Sequence, residues 1–128
     1  MTNAAQAYAD IGVQSDARSA SPHQLITMLF DGCRKSLLQA KYAIESNNRQ
    51  IKSTSIAKAL DIINTGLRSA LDREKGGTLA QDLDDLYRYM GRRLTHANRH
   101  SDAGAVDEVL KLISDIADAW KGIKTQVA

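Results

Sequence analysis

At 128 residues the chain has room for one domain with a single buried core, and it needs no staple to hold that core together. With one proline, eight glycines, 43% apolar and 5% aromatic residues it lacks the runs that strands prefer, and a formal charge of +2 is too slight to imply nucleic acid or an anionic membrane. Cys33 is the only cysteine, which excludes an internal disulfide; with no basic leader and no apolar run near the roughly 18 residues of a membrane span, the reading is a cytoplasmic helical protein.

Residues 1–20 are rich in Ala, Gln, Ser and Asp, with Tyr8, Ile11 and Val13 as the sizeable apolar groups. They read as a flexible N-terminal arm whose apolar side chains could cover exposed surface. At Ser21-Pro22-His23-Gln24 an N-cap serine, a proline suited to the first helical position and a glutamine able to close a capping box start helix one. It runs to about Ser46, where "SNNR" breaks the pattern and Asn47 or Asn48 can cap the next helix. Helix two extends to about Arg73 and stops at Gly76-Gly77. Thr78 and Gln81 repeat the capping-box pattern for helix three, which ends near 98–101. Helix four, from about Asp102 to near Ile123, carries Val106, Val109, Leu110, Ile113, Ile116, Ala117 and Trp120 at helical spacing. Short connections between four long helices predict an all-α, antiparallel four-helix bundle over residues 21–124.

Two helices carry more apolar surface than one core requires. At about 100° per residue, Leu25, Ile26, Met28, Leu29 and Phe30 cover an arc of about 200°, against the roughly 100° of an ordinary core stripe. On helix two, Ile56, Ala59, Ile63 and Ala70 centre one stripe, Ile51 and Ile62 lie on one margin, and Leu60 and Leu71 on the other. Tyr89 occupies a margin of helix three. Such margins are either buried by neighbouring helices or form a groove that holds an amphipathic partner segment.

The chain offers little for catalysis. Glu45, Glu74 and Glu108 lack the histidine three residues on that a di-metal carboxylate bundle requires. His96 and His100 share a helix face without an H-E-x-x-H motif, and Cys33 lies in an apolar run that suits a buried hydrophobe better than an activated thiolate. No metal, cofactor or enzymatic activity is expected. The basic stretch "RYMGRRLTHANRH" follows "QDLDDL" on the same helix, a polarity that complements the macrodipole and interrupts any phosphate-binding track.

Several segments together resemble the flagellar secretion chaperone FliS family. They are "ASPHQLITMLFDG" at 20–32, "ALDIINTGLRSALDREKGGTLAQDLDDLYRYM" at 59–90, the Leu-x-x-Ala-Asn of 94–98 and the late Trp120, in order and over about four fifths of the chain. Tyr8 stands where the family places a tyrosine ahead of Ala-Ser-Pro, and Phe30 departs from the tyrosine usual at its position. The resemblance implies an export chaperone whose surface grooves take up the disordered C-terminal segment of flagellin, preventing premature polymerisation and keeping it competent for type III secretion. Tyr8, Ile51, Leu60, Ile62, Leu71 and Tyr89 are the candidate partner-binding residues. Export-gate or regulatory proteins are further candidate partners, with no nucleic acid and no membrane insertion. The alternative is a helical adaptor or regulatory protein that dimerises through the same apolar margins.

Overall fold

The computed structural model describes residues 20–127. The arm read at 1–20, Tyr8 included, lies outside them except for Ala20, which packs against the core.

Helix α1 spans Pro22–Glu45. Its start is the predicted capping box: the Ser21 hydroxyl accepts from the Gln24 amide at 3.1 Å, and the Gln24 side-chain carbonyl accepts from the Ser21 amide at 2.8 Å. The chain reverses through Asn47, at φ 58°, and Asn48 caps the next helix by accepting from the Ile51 amide. Helix α2 covers Arg49–Asp61 and continues as a π-helix over Ile62–Arg68. Within the π-helical turn Gly66 lies against α1 so closely that a Cβ there would meet the Leu29 side chain at 3.0 Å.

Helix α2 therefore stops short of Arg73, and Gly76-Gly77 does not terminate it. Asp72 accepts from the Lys75 amide at 3.0 Å and caps helix α3, Arg73–His100, so the first cap of this helix is Asp72 and not Thr78. Both residue types cap well, and the closer one to the end of α2 prevails. Gly77 sits inside α3 as a kink, at φ 51° and ψ −127°, a conformation that glycine adopts without strain. The left-handed Ser101 ends α3, and Asp102 caps α4, Ala103–Val127, by accepting from the Ala105 amide.

Each helix packs on two neighbours, α1 on α2 and α4, and α3 on α2 and α4. The centre is closed by Leu29, Leu37, Ile63, Met90, Leu94 and Ile113, none of which retains exposed surface. Cys33 lies among them, its thiol pushed up to about 12 by burial, and so is not a nucleophile at neutral pH. At the turns joining α1 to α2 and α3 to α4, Lys52 donates to the Ser101 hydroxyl at 2.9 Å, and His96 pairs with Asp102 at 3.0 Å.

Candidate functional site

At the opposite end the four helices do not close. The first turns of α1 bring Ile26 and Phe30, and the end of α2 brings Leu67 and Leu71. Leu79, Leu83 and Tyr87 come from α3, and Ile116, Trp120 and Ile123 from α4. Between them lies a cleft of about 370 Å³ in which Asp115 is the only charged residue among the described ones. Leu79, 67% exposed, and Ile123, 42% exposed, stand at its mouth.

Two local structures tie the helices together at this end. The first joins α1 to α4: the His23 and Trp120 rings stack at 4.5 Å between centroids and 8° between planes. The Trp120 indole donates to the His23 carbonyl at 3.2 Å, while His23 Nε2 lies 3.0 Å from the Trp120 carbonyl. A carbonyl only accepts, so Nε2 is the donor, leaving the buried Nδ1 without a partner among the described residues. The second joins the end of α2 to α3. Asp84, buried, accepts from Arg68 Nε at 2.8 Å and from Arg73 Nη2 at 3.1 Å. Hydrogen bonds from Arg68 and then Arg73 bring its carboxyl down to about 2. This cluster fixes the connection carrying Leu71 and the kinked start of α3 that presents Leu79.

The candidate residues read from the sequence do not form one site. Leu71 lines the cleft. Ile51, 49% exposed, belongs to a broader groove between α1 and α2, beside exposed Leu38 and Tyr42. Leu60 lies in a third groove, between α2 and α3. Ile62 is a correction: it has no exposed surface and is part of the core, its Cδ1 packed beside Gly32 of α1. Tyr89 is half-buried and donates from its hydroxyl to Glu108, which Arg93 also holds at 2.7 Å. Those two hydrogen bonds keep Glu108 below the ordinary glutamate value. Tyr8 lies outside the described residues.

Most of the cleft was missed as a site. From the sequence, Ile116 and Trp120 have only a place in the helical spacing of helix four, and Leu79 and Leu83 no binding role. The available signal was length: the apolar spacing on α4 runs on to Ile123, and Leu79, Leu83 and Leu86 repeat along the start of α3. No group of three or more His, Cys, Asp or Glu side chains among the described residues could hold a metal ion.

The family described as "Flagellar protein FliS" matches residues 4–127. A flagellar secretion chaperone FliS of Salmonella typhimurium is 47% identical over 123 residues, covering 96% of this chain and 91% of the relative. The chain belongs to the FliS family. The Escherichia coli flagellar secretion chaperone FliS is 52% identical over 116 residues, 91% of this chain and 85% of its own. That of Bacillus subtilis is 36% identical over 108 residues, 84% and 79%. The family is one of non-enzymatic chaperones. Among the described residues no helix is long and apolar enough to cross a membrane.

Proposed function

We propose that the chain is a cytoplasmic chaperone for flagellin and that the cleft holds part of flagellin's disordered C-terminal segment before export. The observation that carries this reading is the cleft itself, large enough for a few apolar side chains, nearly free of charge and open at Leu79 and Ile123. A disordered segment that folds on a surface loses conformational entropy, and burial of apolar area offsets that loss. While held, the segment's apolar side chains are unavailable for polymerisation. Release requires only a competing apolar surface, so neither nucleotide nor covalent chemistry enters.

Trp120, the only tryptophan, forms part of the wall and is a built-in reporter. Titration with a peptide of the flagellin C-terminus is expected to shift its emission and to show a strongly negative heat-capacity change. The reading fails if emission is unchanged and full-length flagellin binds no better than flagellin lacking that segment. Exposed Leu38, Tyr42 and Ile51 favour a second reading, self-association through the groove between α1 and α2. Sedimentation of the parent and a Tyr42→Glu variant separates the two, since only self-association predicts a dimer that the variant abolishes.

A further inference from the structure

Helix α3 has a second working face. At about 100° per residue, Arg88, Arg92 and Thr95 lie about two fifths of a turn round the helix from Leu79, Leu83 and Tyr87. They form one wall of a groove of about 450 Å³; Leu60, Asn64 and Arg68 of α2 form the other, with Gly91 between. No carboxylate is among the described residues that line it. Arg68 is already held by Asp84 and by the Asn64 amide oxygen. Arg88 and Arg92 are exposed and make no ion pair among the described residues, whereas Arg34, Arg68, Arg73 and Arg93 each hold a carboxylate. Arg92 lies 5.9 Å from the Tyr89 ring centroid, a contact that leaves its N–H groups available for a partner.

Two guanidinium groups one helical turn apart match two carboxylates one turn apart on another helix, each pair able to form parallel N–H···O bonds. Thr95 and Asn64 add polar partners along the same walls. Gly91 and the Leu60 side chain supply a small apolar floor, suited to an alanine-sized residue between the two acids. A nucleic acid fits less well, because it needs a longer basic track, and Asp82, Asp84 and Asp85 interrupt this one within two turns of Arg88. We propose that this groove docks an acidic helical segment of a partner protein, through aspartate or glutamate residues at i and i+4, at a site separate from the apolar cleft.

The test uses the full chain and a fluorescently labelled, end-capped alanine-rich helical peptide carrying two glutamates four residues apart. Fluorescence anisotropy is expected to show binding that weakens at least about tenfold when the glutamates are replaced by glutamine, and by a similar factor in an Arg88→Ala/Arg92→Ala variant, as expected for charge-assisted pairs. In that variant the glutamine peptide should lose nothing further. A peptide with lysines at the two positions should bind Arg88→Glu/Arg92→Glu better than it binds the parent. The thermal midpoint and the Trp120 response to the flagellin segment should stay at parental values in both variants. The proposal is overturned if neither peptide binds, if both bind alike, or if a single-stranded oligothymidylate binds in an Arg88- and Arg92-dependent way while the acidic peptide does not.

Discussion

The two ends of the bundle are built from different side chains, and the difference explains why one is closed and the other open. Where α1 meets α2 and α3 meets α4, the buried contacts include Ala40, Ala43, Ala97 and Ala105, all at most 1% exposed. Small side chains let helix axes approach, and little space remains between them. At the other end Phe30, Leu67, Leu83, Ile116 and Trp120 hold the helices apart without filling the gap they create. The open end is therefore not a weakly folded one. The His23–Trp120 stack ties α1 to α4 at the cleft wall, and the Arg68–Asp84–Arg73 cluster ties the end of α2 to α3.

Core substitutions break the bundle at both ends and set the upper limit of effect. Met90→Ala is expected to lower stability by about 2–5 kcal/mol in urea denaturation, through lost burial and the cavity left behind. Ile62→Ser should fall at least as far, since it also places a hydroxyl in a site with no exposed surface. If Ile62→Ser melts with the parent, the placement of Ile62 in the core is wrong.

Much of this was legible in the sequence. The Ser21 capping box, the Asn47-Asn48 break and the helix-four spacing are local signals, and each appears where the sequence places it. The reading of α2 failed for a reason equally physical. A helical wheel assumes a constant advance per residue, whereas the π-helical turn over Ile62–Arg68 winds with more residues per turn. The π-helix ends at Arg68, so Ala70, read as the centre of a buried stripe, is exposed, and both it and Leu71 lie beyond the helix, whereas Ile63 on the same stripe is buried. Nothing local announces a π-turn, within which Gly66 lies close against Leu29 of another helix. The cleft escaped notice similarly, because an apolar residue facing a gap and one facing a core look the same along the chain.

A more selective break acts on the open end alone. A Cβ at Gly77 would meet nothing within 4 Å, so Gly77→Ala tests only the backbone conformation at φ 51°. The strain is expected to lower stability by about 1–3 kcal/mol, or to straighten the kink and displace Leu79. Either outcome should weaken flagellin-segment binding more than the same substitution at Gly122, where a Cβ also meets nothing.

Acid tests the tie between α2 and α3 at the same end. Asp84 is held below its ordinary value of 3.8, at about 2, so its ionised form favours the folded state. That contribution is fully present at neutral pH and is lost as the pH falls through about 2. Asp84→Asn should melt below the parent at pH 7, with the difference narrowing between about pH 4 and about pH 2. A difference that stays constant across that window would mean that Asp84 acts by packing and not by charge.

The smallest effects on stability discriminate best between the two ends as surfaces. Ile51 and Leu79 are both large, apolar and exposed, at 49% and 67%. Ile51→Asp and Leu79→Asp should each move the unfolding free energy by no more than about 0.5 kcal/mol, because both side chains keep about half or more of their surface in water. They should differ in binding. Leu79 stands at the mouth of the cleft, so a carboxylate there meets apolar partner atoms and would be desolvated without a counter-charge; the flagellin segment should bind at least about tenfold more weakly. Ile51 lies in the groove between α1 and α2, so its substitution should leave the Trp120 response unchanged if the cleft alone carries the segment. Equal losses in calorimetry would instead mean that the segment reaches both grooves, passing from the open end along α1 to the neighbourhood of Leu38 and Tyr42.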